Sequence, residues 1–239
     1  MVARIIGFVL ITCSSLRMSF PLLVTGTDTG VGKTYITCEL VRSLREEGID
    51  AVGYKPVCCG AREDAELLLE ASDNAEPIEA INPVWYQAPV TPSVAAELES
   101  KPVPLEDIRS HAESMAERHE ILVMEGVGGW EVPMSGSETF ADMAEGLGWP
   151  VVLVVANRLG ALNHTLLTEN AIRDRGLHLA GVVINHLTED HDIAMTTNRV
   201  VLEDLLSGPV SCLENGDGLA GGVIVQELLK AFRDGGFQV

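Results

Sequence analysis

Five short runs of this chain are mostly apolar, and eight longer stretches carry apolar residues at helical spacing. The runs fall at 20–25, 51–57, 120–125, 150–155 and 179–184. Near-continuous apolar character, without alternation, predicts strands covered on both faces. The amphipathic stretches at 34–47, 63–71, 92–99, 105–118, 139–147, 161–175, 190–206 and 221–233 predict helices. Strand and helix alternate along the chain. That order implies an α/β three-layer sandwich, a mostly parallel sheet with helices on both faces. The stretch 76–104 holds most of the prolines and reads as an irregular connection with one short helix. Residues 207–220 are glycine-rich and read as a loop. No internal repeat or low-complexity tract interrupts the pattern.

Between the first apolar run and the first helix stands Gly26-Thr27-Asp28-Thr29-Gly30-Val31-Gly32-Lys33-Thr34. Strand, glycine-rich turn and helix start are the setting of a phosphate-binding loop. Glycines let backbone N–H groups approach phosphate oxygens, and the helix N-terminus adds partial positive charge. Lys33 is placed to reach the β- and γ-phosphates, and the Thr34 hydroxyl to ligate Mg²⁺. The strict spacing G-x-x-x-x-G-K-S/T is not met, because Thr27 stands five residues before Gly32; the first glycine is one position earlier. The fold class is therefore expected to be that of the P-loop NTPases.

Other candidates cluster where ligands bind in such sheets, at the carboxyl ends of strands. Lys55 stands near the end of the second run, in Gly53-Tyr54-Lys55-Pro56-Val57. A lysine closing an apolar strand either faces an anion or extends into solvent. Asp64 opens a helix, as a cap or a first-turn acid. Glu125 closes the third run before Gly126-Val127-Gly128-Gly129-Trp130, where acids of this fold hold Mg²⁺. Thr34, Asp64 and Glu125 together offer three oxygens to the metal.

Charge narrows the choice of partners. The 239 residues carry a formal net charge of −19, which argues against nucleic acid or an anionic membrane as partner. Lysines stand only at 33, 55, 101 and 230, so two of the four fall inside the motifs. Such an acidic, lysine-poor composition resembles proteins of salt-loving organisms. Five cysteines, an odd number with Cys58 and Cys59 adjacent, fit a reduced cytoplasm better than a disulfide or zinc framework. The histidines at 111, 119, 164, 178, 186 and 191 show no ligand spacing. Residues 1–17 hold a short apolar segment after Arg4 and are expected to be an extension, with Met18 as the start of a single ATP-binding domain over 18–239.

Five motifs in order resemble the dethiobiotin synthetases: the phosphate loop, Gly53-Tyr54-Lys55-Pro56, Asp64, residues 125–130, and Gly160-Ala161-Leu162-Asn163-His164. The resemblance covers about residues 19–190 and implies the following. CO₂ adds to one amine of 7,8-diaminopelargonic acid, the carbamate is phosphorylated by ATP, and the second amine closes the ring. Lys55 matches the catalytic lysine, with Lys33 beside it. The nucleotide would be held by Gly30, Val31, Gly32, Lys33, Thr34, Tyr35, Asp64, Glu125, Gly126, Val127, Gly128, Asn185 and His186, with Asn185 on the adenine. The substrate would meet Thr29, Lys55, Cys59 and the helix start at Gly160, Ala161, Leu162 and Asn163. That last contact comes from the other subunit of a homodimer. Without the resemblance, Asn163 reads as an ordinary helix cap. The sequence departs from the family at Gly30, where glutamate is frequent, at Cys59, where serine is common, and after Pro209.

Two rivals share the loop. An amidoligase of the cobyrinic acid a,c-diamide synthase type needs a glutaminase domain, for which this chain leaves no room. A MinD/ParA-like ATPase switch carries a lysine at the position of Asp28.

Overall fold

The computed structural model describes residues 19–189, 192–214, 218 and 222–234. The extension expected over 1–17 lies outside the described residues. In the first half of the chain β1 (Leu22–Gly26), α1 (Lys33–Glu46), β2 (Ala51–Tyr54), β3 (Val57–Cys59), α2 (Glu63–Ala71), α3 (Ile78–Ile81), β4 (Val84–Tyr86), α4 (Pro92–Leu98) and α5 (Leu105–Arg118) follow one another. Then come β5 (Ile121–Glu125), β6 (Pro133–Ser135), β7 (Glu138–Thr139), α6 (Phe140–Leu147), β8 (Val151–Ala156) and α7 (Ala161–Asp174). The chain continues through β9 (Leu179–Asn185), α8 (Ile193–Leu205), β10 (Val210–Leu213) and α9 (Val223–Asp234).

Six strands form one parallel sheet in the order β10-β9-β8-β1-β5-β2. Its strands are mostly apolar because both faces are covered. Leu153 and Val155 of β8 pack with Ala161, Leu202 and Leu206 beneath α7 and α8. Their neighbours Val152 and Val154 belong to the larger core on the opposite face, as the two-residue period of a strand requires. Among the described residues no helix is long and apolar enough to cross a membrane.

Beside the unexpected α3 and the short β6–β7 pair, two differences from the sequence expectation shape the sheet and the site. The run 51–57 is broken at Lys55-Pro56 into β2 and β3. β2 is an edge strand with β5 as its sole neighbour, and Pro56 has no N–H to offer a ladder. The segment after α3 takes over instead. Lys55 N donates to the Ile81 carbonyl at 2.9 Å, and Val84 N donates to the Pro56 carbonyl at 3.2 Å. β3 then pairs with β4 in a separate two-stranded sheet, so the proline-rich connection carries more structure than one short helix. The second difference is β10, inside the stretch read as a loop. Val210 to Leu213 pair in register with Val182 to Asn185, extending the sheet by one strand.

β1 lies between β5 and β8, with Leu23 opposite both Met124 and Val151. The carboxyl ends of these central strands therefore converge, and the loops that follow them share one space.

Candidate active site

The phosphate loop leaves β1 after Gly26 and enters α1 at Lys33. Gly32 caps the helix with φ of 90°, a left-handed conformation that favours glycine. A Cβ there would also meet Asn185 Nδ2 at 2.1 Å. Asn185, at the end of β9, donates to the Val31 carbonyl at 3.0 Å and so backs the loop from behind. Lys33 arches over the loop and donates from Nζ to the Asp28 carbonyl at 3.0 Å. Burial, and next the charge of Lys55, lower the Lys33 pKa to about 8, against the opposing pull of Glu125, Asp64 and Asp28.

Beneath the loop lies a buried charge cluster. Lys55 and Glu125 are 3% and 1% exposed, which settles the choice between solvent and anion for Lys55. Its Nζ lies 2.6 Å from Glu125 Oε1 and 2.9 Å from Asp64 Oδ2, and it donates to the Gly126 carbonyl at 3.3 Å. Thr34 Oγ1 donates to Glu125 Oε1 at 2.8 Å. Burial lowers the Lys55 pKa, but Glu125 and Asp64 outweigh it and hold the ammonium above its ordinary range. Burial also pushes the Asp64 carboxyl up, yet the charge of Lys55 and its hydrogen bond bring it below its ordinary value. For Glu125 burial is the largest influence and raises the carboxyl, with Asp64 adding to it and Lys55 opposing.

The cluster fits a hard divalent cation. Glu125 Oε2 is buried and has no hydrogen-bond partner among the described residues. Such an oxygen costs about 1–3 kcal/mol unless something pairs with it. Thr34 Oγ1, Asp64 and Glu125 supply oxygens only, the donor type that Mg²⁺ takes.

The cluster floors a cavity of about 590 Å³. Its lining mixes polar residues, Thr29, Lys33, Thr34, Lys55 and Asp64, with apolar ones, Val57, Pro89, Val90, Pro92, Val127 and Val132. Cys59 also lines the cavity. Burial, and then Glu99, push its thiol up to about 11, with Lys55 opposing, so it stands there as a neutral thiol.

Thr29, Gly30, Gly32, Lys33, Thr34, Lys55, Cys59, Asp64, Glu125, Val127 and Gly128 thus share one cavity. Other candidates stand apart from its lining. Val31 is buried under the loop, and Tyr35 is 38% exposed on α1. Gly126 donates from its N to the Val24 carbonyl at 2.9 Å, and a Cβ on it would strike the Phe140 ring at 2.8 Å. His186 is buried, with its backbone N donating to the Leu213 carbonyl. Its Nε2 lies 2.7 Å from Asn157 Nδ2. That amide is oriented by Asn198, which donates to Asn157 Oδ1, and by the Met195 carbonyl, so Nε2 acts as acceptor. The fold also brings His186, Cys212 and Glu214 together, their ligating atoms within 4.8 Å of one another, a proximity that sequence spacing does not reveal. Gly160, Ala161, Leu162 and Asn163 form the start of α7 and do not line this chain's cavity. The cap of α7 is Gly160, without a side-chain bond, so Asn163 is no cap. Asp64 likewise lies in the first turn of α2, behind the cap residue Arg62.

Sequence reasoning missed Asn82. It is 1% exposed and donates from Nδ2 to the Lys55 carbonyl at 2.8 Å. The Asn82-Pro83 pair marks a turn, but nothing local ties it to Lys55.

A family model described as an AAA domain matches residues 21–211. The ATP-dependent dethiobiotin synthetase of Akkermansia muciniphila is 47% identical over 188 residues, covering 79% of this chain and 88% of the relative. That of Anaeromyxobacter dehalogenans strain 2CP-1 is 48% identical over 188 residues, covering 77% and 84%. Among solved structures, the cell division ATPase MinD of Pyrococcus furiosus superposes with a TM-score of 0.58 at 16% identity, over 89% of this chain and 99% of that one. At that identity the likeness concerns the fold alone.

Proposed function

This chain belongs to the family of ATP-dependent dethiobiotin synthetases, and we propose that it joins CO₂ to 7,8-diaminopelargonic acid in the cavity under the phosphate loop. The observation that carries the residue assignment is the buried ammonium of Lys55 against two carboxylates, in the cavity that Lys33 also lines.

One amine of the diamine takes up CO₂ and loses a proton, giving a carbamate. A carbamate oxygen attacks the γ-phosphorus of ATP, and ADP leaves. The second amine attacks the carbamoyl carbon of the mixed anhydride, phosphate departs, and the ureido ring is closed. Phosphoryl transfer of this kind depends on positioning and charge neutralisation. Lys33 binds the β- and γ-phosphates. Lys55 holds carbamate and γ-phosphate against each other, its proton secured by Glu125 and Asp64. Thr34, Asp64 and Glu125 would hold Mg²⁺, which would supply further charge neutralisation on the phosphates. Gly30, Val31, Gly32, Tyr35, Gly126, Val127 and Gly128 complete the nucleotide cradle, with Asn185 and His186 toward the base. The apolar lining residues suit the aliphatic chain of the diamine, with Thr29 and Cys59 as polar contacts to it.

By resemblance to the family, the substrate carboxylate falls to Gly160, Ala161, Leu162 and Asn163 of a second copy, and these residues are absent from the lining of their own chain's cavity. The enzyme is then a homodimer. Leu159 and Leu167, 82% and 62% exposed around this helix start, suit burial against a partner. A monomer mass in light scattering, with full activity, would remove this part. We place the enzyme in the cytoplasm, where ATP is available, as a single domain over residues 18–239.

The test is phosphate release from ATP with Mg²⁺ and bicarbonate, with and without the diamine. Release that depends on the diamine, with dethiobiotin identified by mass, is the expected result. Diamine-independent release without that product would instead indicate an ATPase switch.

A further inference from the structure

We propose that Asn82 and Arg62 are positioning residues that fix the catalytic lysine and the metal-binding acid relative to each other. The inference rests on the reading of Lys55 and Asp64 given above. Lys55 stands where the chain leaves the sheet. Lys55 and Pro56 lie between the end of the β2 ladder at Tyr54 and the start of the β3–β4 ladder at Val57, so their main chain depends on other partners. All of them come from one short segment. The Ile81 carbonyl accepts from Lys55 N at 2.9 Å, and Val84 N donates to the Pro56 carbonyl at 3.2 Å. The amide of Asn82 closes the bracket, with Nδ2 donating to the Lys55 carbonyl at 2.8 Å and to the Val84 carbonyl at 3.0 Å.

That amide is itself held in orientation. Arg62 donates from Nε to Asn82 Oδ1 at 2.9 Å and from a terminal nitrogen to the Asn82 carbonyl at 2.9 Å. The guanidinium lies over the Trp85 ring, 5.4 Å from its centroid, and Trp85 is anchored by its Nε1 donating to the Gly60 carbonyl at 2.8 Å. A planar, five-donor fork suits this two-point grip better than an ammonium. Arg62 is also the residue from which α2 starts, two positions before Asp64. A single chain of bonds therefore runs from the Lys55 carbonyl through the Asn82 amide and Arg62 to the helix turn that carries Asp64. The 2.9 Å contact between Lys55 Nζ and Asp64 Oδ2 closes this path into a ring. Neither Asn82 nor Arg62 lines the cavity, so their effect on the reaction is through the two groups they hold.

The experiment compares Asn82→Ala, Arg62→Gln and Arg62→Lys with the unaltered full chain, with Lys55→Ala as control. Rates are normalised to folded enzyme by the stoichiometry of ADP binding. Misplacement of a reacting group by about 1 Å costs roughly a hundredfold in rate. Asn82→Ala is therefore expected to lower kcat by about 10–100-fold with KM for ATP within about twofold, and to release phosphate without a matching amount of dethiobiotin. Arg62→Gln is expected to show the same uncoupling in weaker form, with Arg62→Lys between it and the unaltered enzyme. If Asn82→Ala misfolds, the Arg62 pair carries the test. Normalised kcat and coupling equal to the unaltered enzyme in both Arg62 variants would overturn the inference, since a purely structural role lowers only the folded fraction. Should Lys55→Ala retain turnover, the assignment of the lysine fails first, and that outcome is separable from the other.

Discussion

Lys55 and Glu125, seventy residues apart in sequence, meet at 2.6 Å with neither side chain more than a few per cent exposed. Two charges buried so deeply require each other, because removing one leaves the other uncompensated at a cost of about 3–5 kcal/mol. Lys55→Ala is expected to cut turnover about a thousandfold, in line with loss of a preorganised charge donor. ATP binding should persist, since Lys33 and the loop backbone remain. Steady-state kinetics alongside nucleotide titration check this, and near-normal turnover would take Lys55 out of the chemistry.

Glu125→Gln replaces the acid that both Lys55 and Thr34 touch. The half-saturating Mg²⁺ concentration is expected to rise tenfold or more, roughly the loss of one charge-assisted bond. An unchanged Mg²⁺ titration of activity would defeat the metal assignment.

Lys33 carries a pKa lowered to about 8 by burial first and by Lys55 second. In the free enzyme it gives up its proton as pH rises through that value, and a neutral amine holds a polyphosphate less well. The profile of kcat/KM for ATP should therefore fall above about pH 8, since that parameter reports the free enzyme. Bound ATP favours the charged amine, so the kcat profile should fall at higher pH. A kcat/KM that stays flat to pH 10 counts against a phosphate role for Lys33.

Cys59 lines the cavity as a neutral thiol. A hydroxyl is the stronger donor and the smaller group. Cys59→Ser is expected to lower KM for the diamine about two- to fivefold, within the worth of one neutral hydrogen bond, with little change in KM for ATP. A rise in KM for the diamine would mean that the thiol is fitted to this cavity.

Gly32→Ala puts a methyl group on a residue with φ of 90°, 2.1 Å from Asn185 Nδ2. Backbone strain of this kind costs about 1–3 kcal/mol, and Asn185 must give up its bond to Val31. Thermal denaturation should register the loss, and ATP affinity should fall with it. A variant with unaltered midpoint and affinity would show that the loop relaxes freely.

The sequence made much of this architecture legible because the informative residues sit in telling local settings. Lys55 and Glu125 stand at or near the ends of apolar runs, Asp64 opens a helix, and Gly32-Lys33-Thr34 joins strand to helix. Each position declares its side of the sheet without tertiary knowledge. β10 was harder to see. Its four residues include Ser211 and Cys212 and lie among glycines, and their strand character comes from pairing with β9. The break between β2 and β3 was hidden because Pro56 lies in an otherwise apolar run, and its consequence depends on β2 being an edge. Asn82 stayed invisible for a similar reason. Its partner is the carbonyl of Lys55, 27 residues away, and a side chain bonding to distant main chain leaves no periodicity to read.

The pairing of β1 with β5 joins Leu22 to Val123, across about half of the polypeptide. Glu125 reaches Thr34 and Lys55 only once that long loop has closed, and closure over such separation is slow. During synthesis the phosphate loop and Asp64 emerge first, and Glu125 joins them only when β5 has left the ribosome and docked beside β1. Completion of the nucleotide site is thereby tied to the pairing of the central strands and not to the loop alone.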